Sequence, residues 1–274
     1  MLFRSVSQSR YGGGLYKLHG PVKRGGELKY CDKTWSLSKV EAEQALNRDD
    51  DQAIQWTNAA KAVVGPLGMY TNQWYIAQSL VTIKQGQGPS NRIGRKFTLK
   101  SISSKMGISV ITEETASMDM YCRVVWVQDK QCNGSLVGIA DVFEDIPRMN
   151  KPLDEGGNFD ITSLPNMGNS QRFVTLKDDV FKLTKNFLKA RGQVDSGALF
   201  QYDGTFSGLR ETWLPCNMEI EQIDVPAQIS GIKSNNVICL VQVMGVPLVQ
   251  TSTGSTGQGQ IKIWGNMRTR YDDN

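Results

Sequence analysis

The spacing of apolar and polar positions changes character once along the chain. Residues 36–64 are the only stretch that suits a helix. Ser36 or Ser38 can cap it, and Glu41 stands three residues after Ser38 as in a capping box. Val40, Ala45, Ile54, Trp56 and Ala60 form a ragged apolar face, Asp49-Asp50-Asp51 suits a break, and Gly65-Pro66 ends the tract. From residue 72 the period shortens to two. Lys96-Phe97-Thr98-Leu99-Lys100 places Phe97 and Leu99 on one strand face and both lysines on the other. Residues 118–127, MDMYCRVVWV, are rich in the branched and aromatic side chains that fit a pleated surface. Further strands are predicted at 74–77 and 80–83 (one strand or a pair), 171–176, 181–183, 219–225, 236–246 and 260–264. Asn133-Gly134, Gly156-Gly157, Gly204, Ser207-Gly208 and the Ser/Thr/Gly tract 251–259 punctuate them. Many short strands and few helices predict an all-β sandwich or barrel. Phe97, Leu99, Val125 and Val241 are its expected core.

The chain has 274 residues, length enough for a substantial core, with 39% hydrophobic and 21% charged residues. No run of 18 apolar residues is present, so no membrane span is expected. The first residues lack the apolar core of a secretory signal. A single histidine, His19, weighs against a Ser-His-Asp hydrolase and against a His-rich metal site. Neither catalytic residues nor metal ligands are expected, and no cofactor. The cysteines, Cys31, Cys122, Cys132, Cys216 and Cys239, are odd in number with no C-x-x-C spacing, which points to a reducing compartment. Nucleotide-binding signatures, G-x-G-x-x-G after a strand or G-x-x-x-x-G-K-[ST], are absent.

Charge is unevenly spread. The net charge is +4, yet residues 1–30 carry Arg4, Arg10, Lys17, Lys23, Arg24 and Lys29 against Glu27 alone. Glycines run through the same stretch, so residues 1–33 read as a flexible basic arm. Residues 84–105 hold Lys84, Arg92, Arg95, Lys96, Lys100 and Lys105 with no acid. Residues 172–191 form a third basic stretch, where Asp178-Asp179 suits pairing with neighbouring lysines. Clustered Lys and Arg favour a polyanion through counterion release. Tyr30, Trp35 and Trp74-Tyr75 are candidate rings for stacking unpaired bases.

Four segments sharpen this picture. Residues 27–32 read ELKYCD, 85–102 QGQGPSNRIGRKFTLKSI, 169–185 NSQRFVTLKDDVFKLTK, and 260–274 QIKIWGNMRTRYDDN. In this order they resemble the capsid proteins of circular, Rep-encoding single-stranded DNA (CRESS-DNA) viruses. Those proteins tend to carry an E-x-K-x-x-D element after a basic arm and a G-x-G-x-x-N-R-x-G-x-K stretch before a core strand. An R-F-x-V/T-L-x-D segment follows, and the last strand ends in R-x-R-Y-x-D. The resemblance covers about residues 27–32 and 72–274, and this arm is less arginine-dense than most in the family.

The resemblance implies a single jelly-roll β-sandwich of eight antiparallel strands. The arm would span 1–33, a partly helical segment 34–70, and the shell domain 71–274. It implies a non-enzymatic subunit that assembles with itself into an icosahedral shell around circular single-stranded DNA. The protein would belong to the virion, and to the host nucleus or cytoplasm during assembly. Phosphate contacts are expected from Arg4, Arg10, Lys23, Arg24, Arg92, Arg95, Lys96 and Lys100. Arg268, Arg270 and Tyr271 are expected at an interface or on the genome. The alternatives are a jelly-roll capsid protein of a small RNA virus and a cellular lectin-like or cytokine-like module.

Overall fold

The computed structural model describes residues 28–37, 54, 56–58, 74–78, 80–112, 119–132, 134–145, 159–187, 204–223, 229–244, 249–250, 256–257 and 260–273. Within them the protein is all-β, with one four-residue helix, α1 (Ile139–Val142). The main strands are β1 (Leu28–Leu37), β2 (Trp56–Asn58), β3 (Trp74–Ala77), β4 (Lys96–Thr112), β5 (Met120–Asp129) and β6 (Phe173–Phe187). They continue with β7 (Gly204–Gln222), β8 (Ile232–Ser234) and β9 (Asn236–Met244), a two-strand pair β10 (Val249–Gln250) and β11 (Thr256–Gly257), and β12 (Gln260–Asp273).

Hydrogen bonds join ten of them in the order β1-β12-β4-β7-β6-β5-β9-β3-β2, with β8 beside β7, every named pairing being antiparallel. β6 meets β7 only at Thr184–Phe187, and the rest of β6 pairs with β5. The sheet therefore folds over at that corner into two halves, β1-β12-β4-β7 and β6-β5-β9-β3. First and last strands lie side by side, and each half interleaves early and late strands. This is the jelly roll.

One apolar cluster fills the space between the halves. Phe97, Leu99, Ile102 and Ile108 of β4 and Ile263, Met267 and Tyr271 of β12 face Cys122, Val124 and Trp126 of β5 and Cys239 and Val241 of β9. Trp35 is, with Trp126, one of its two largest members. Its indole N–H donates to Ser104 Oγ at 2.9 Å, and its ring meets Trp126 edge-on at 5.9 Å. Gly265, opposite Trp35, has φ +130°, and a Cβ there would lie 2.0 Å from the Lys105 carbonyl, so only glycine fits.

Most of the outer face of β5-β9-β3 is also dry. Trp74, Ile76, Val125, Val127, Ile238 and Leu240 pack under Val137, Ile139, Val142, Phe143 and Phe173 from α1, its flanking loops and the start of β6. Arg123 holds this cover down. It forks onto Asp178 at 2.6 and 2.9 Å, donates to the Ile161 and Ser163 carbonyls, and lies over the Phe143 ring at 5.0 Å.

Phe97, Leu99 and Val241 occupy the inter-sheet core as expected, but Val125 does not. It is buried on the opposite face of β5, because Val124 and Trp126 take the inward phase. Residues 80–83 are not a strand. They form a buried turn whose Lys33, Thr82 and Gln222 contacts replace ladder bonds. The expected arm ends earlier than residue 33, since β1 begins at Leu28 and pairs with the C-terminal strand from Asp272 onward. Within the expected helical tract, residues 36–37 and 56–58 are strand, while most of 38–73 lies outside the described residues. The strand expected at 219–225 is the end of a much longer one, β7. Among the described residues no helix is long and apolar enough to cross a membrane.

Candidate nucleic-acid interface

The acid-free segment 84–105 is not acid-free in three dimensions. Strand pairing sets β4 beside β7, whose outward positions carry carboxylates. Lys96 Nζ reaches Glu219 at 3.0 Å and Glu221 at 4.0 Å, and Lys105 reaches Glu211 at 2.9 Å. Lys100 lies 3.9 Å from Asp272 of β12. The Glu219 carboxylate, by hydrogen bond and by charge, raises the Lys96 pKa. Lys84 and Arg95 are exposed at the end of this sheet.

Arg92 is no surface cation, contrary to expectation. It is 0% exposed. Its guanidinium donates to the Ile83 carbonyl at 3.1 Å, to the Ile223 carbonyl at 3.2 Å and to the Gly94 carbonyl. The irregular backbone around 80–95 leaves carbonyls without ladder partners, and one forked side chain with five N–H groups serves two of them together with the Ile223 carbonyl after β7. Arg4, Arg10, Lys23 and Arg24 lie outside the described residues.

The C-terminal candidates divide by strand phase. Tyr271 points inward, 0% exposed, its ring edge-on to Phe97 at 5.5 Å. It is a core residue, and the expected interface role does not hold for it. Burial pushes its phenol pKa up. Arg268 and Arg270 point outward. Arg268 forks onto Asp32 with both bonds at 2.6 Å and covers the Tyr30 ring at 4.6 Å. The hydrogen bonds from Arg268 hold the Asp32 carboxyl below its ordinary pKa.

Arg172, Lys177 and Lys182 of the third basic stretch are likewise occupied. Arg172 grips the buried Asp129 at 2.9 Å, Lys177 pairs with Asp179, and Lys182 with Asp119. Asp178 serves Arg123 rather than a lysine.

What remains open is the outer face of β1-β12-β4-β7. Successive rows across the four strands read Tyr30–Arg270–Ser101–Pro215, Asp32–Arg268–Ser103–Trp213, Thr34–Asn266–Lys105–Glu211 and Ser36–Trp264–Gly107–Leu209. Trp213 is 61% exposed, Tyr30 51% and Trp264 47%. Trp264 lies flat on Gly107, where a Cβ would come within 2.2 Å of the indole. Of the expected stacking rings only Tyr30 is exposed, with Arg268 over one of its faces. Trp35, Trp74 and Tyr75 are at most 3% exposed. Trp213 and Trp264 went unrecognised in the sequence, although both occupy the polar phase of their strands: Thr212 and Leu214 flank one inward, and Ile263 the other.

No family model matches this chain, and no curated protein matches it. Among solved structures it is similar to the crystal structure of the 60-mer BFDV capsid protein, at 11% identity over 90% of this chain and 93% of that one, with a TM-score of 0.27. The jelly roll is defined by the strand order itself. Among the described residues no group of His, Cys, Asp and Glu is placed to hold a metal ion.

Proposed function

We propose that this chain is the capsid subunit of a CRESS-DNA-type virus, assembling with itself into an icosahedral shell around single-stranded DNA. The observation that carries the reading is where three of the four recognisable segments meet. Lys29 of the E-x-K-x-x-D element donates to Asp273 of the R-x-R-Y-x-D ending at 2.7 Å and to the Asn91 carbonyl of the glycine-rich stretch at 3.2 Å. Asp273 also accepts from Ile93 N–H at 3.1 Å, and Asp32 holds Arg268. Motifs separated by up to 244 residues in sequence interlock at one end of one sheet. Such a lock gives those residue types a physical reason to occur together, which supports the resemblance beyond its separate weak motifs.

In this reading the jelly roll supplies the rigid wall and the loops supply contacts between symmetry-related copies. The phosphate-binding role passes chiefly to Arg4, Arg10, Lys23 and Arg24 of the arm, because Lys96 and Lys100 lie beside carboxylates. The protein acts in the virion and meets its genome in the host nucleus or cytoplasm.

Size-exclusion chromatography with absorbance at 260 and 280 nm, followed by negative-stain microscopy, tests it. The expected result is a megadalton peak of uniform shells that carry nucleic acid. Monomers or small oligomers across all salt and pH conditions would refute it.

A further inference from the structure

We infer that the outer face of β1-β12-β4-β7 is a stacking platform for the bases of a single-stranded nucleic acid, a site that rests on the capsid reading and gives it a location. Three aromatic rings stand in solvent on one four-stranded sheet, on three different strands. From the strand spacing and rise, Trp213 lies about 16 Å from both Tyr30 and Trp264. An extended strand laid on the sheet therefore meets a ring every few nucleotides. Every base has a flat π face, so rings spaced in this way bind without sequence preference.

Two of the three rings, Trp264 and Tyr30, are held ready. Trp264 is flattened by the missing side chain at Gly107, so its other face is presented outward. Arg268 is fixed by both Asp32 oxygens and lies over Tyr30. Little side-chain freedom remains to be lost on binding.

Charge decides how the site works. The face carries six cations against five carboxylates, and its carboxylates sit beside its own lysines and Arg268. It neither repels phosphate nor gains much from counterion release. Base stacking must supply its affinity, and the salt-dependent part must come from elsewhere. The cation-rich residues 1–27 supply that part, since they run directly into β1, whose third residue is Tyr30. The other half of the sandwich offers no comparable row of rings: loops cover most of its outer face, and among the described residues its exposed end carries the single ring of Tyr121 beside Val180 and Met244.

The test uses full-length subunit kept unassembled, a twelve-residue oligothymidylate, and the same backbone made abasic. Binding is read by tryptophan fluorescence quenching over a salt series. Wild type should bind the thymidylate and lose most of that affinity to the abasic strand. Trp213→Ala and Trp264→Ala should each weaken thymidylate binding about ten-fold while leaving the salt slope unchanged, and Trp213→Phe should restore most of it. Arg4→Ala with Arg10→Ala should lower the slope instead. Urea midpoints near wild type confirm that the variants are folded, as expected for exposed side chains. Equal thymidylate and abasic binding, or tryptophan variants that bind as wild type does, would overturn the inference while leaving the shell reading intact. Variants that bind normally but no longer assemble would overturn it too, and would assign the face to a second copy of this chain. A wild type that binds no oligonucleotide and forms no shells would remove both.

Discussion

Arg92→Met separates two accounts of the same arginine. If Arg92 contacted phosphate, its loss would lower packaged nucleic acid and leave the fold untouched. The structure buries it completely against three backbone carbonyls. Hydrogen bonds from a charged group are worth about 1.5–3 kcal/mol each, and they are not additive. Relief of the guanidinium's own desolvation and the retained bulk of Met offset part of the loss, whereas three carbonyls are left unpaired. The net expected cost is about 3–5 kcal/mol. With a urea slope of roughly 2–3 kcal/mol/M, the unfolding midpoint should fall by about 1–2 M. The Trp35–Trp126 contact in the core makes intrinsic fluorescence a direct reporter. Arg92→Lys keeps the charge but not the fork, so it should recover only part of the loss. A variant with the wild-type midpoint and depleted nucleic acid would refute the reasoning and return Arg92 to the surface.

Leu99→Ala removes a fully buried side chain from the inter-sheet cluster and should cost about 2–5 kcal/mol, read as lost soluble yield and a lower urea midpoint. A stable, folded monomer that only fails to assemble would place Leu99 at an interface instead. Asp32 is held below its ordinary value of 3.8 by Arg268, so the pair's contribution is fully present above pH 3.8 and is lost as pH falls through the lower folded value. Carbon-detected NMR should find Asp32 titrating below 3.8, and Arg268→Met should move it upward. An unchanged midpoint would show that the fork does not persist in solution.

The sequence made the sheet legible wherever one face is wet. Lys96–Lys100 alternates because β4 has core on one side and solvent on the other, and Phe97 and Leu99 fall where that predicts. The same rule failed on β5. There both faces are dry, so the run around Val125 carries no phase information, and only the cover from α1 and its flanking loops settles which side is which. β1 was hidden for a different reason. Leu28–Leu37 alternates buried Lys29 and Lys33 with exposed Tyr30 and Asp32, an inversion of the usual pattern. Those lysines become acceptable inside only because Asp273, the Asn91 carbonyl and Thr82 receive them. None of these partners is near in sequence.

The candidate site shows the same division between local and non-local information. A count of charges in a window is a one-dimensional measure, whereas the potential at a surface sums over strands. Lys96 and Glu219 are 123 residues apart and 3.0 Å in contact, so a window with six cations became a nearly neutral face. The rings behave in the opposite way. A tryptophan on the polar phase of a strand has no partner to bring it inward, and its exposure is therefore readable from phase alone once the strand is recognised. Trp213 fits that rule, with Thr212 and Leu214 buried on either side. Cations in an all-β chain are thus poor guides to a polyanion site until pairing is known, while out-of-phase aromatics are good ones. Here they shift the site from 84–105 to Trp213, Trp264 and Tyr30, on the sheet that the basic N-terminal residues enter.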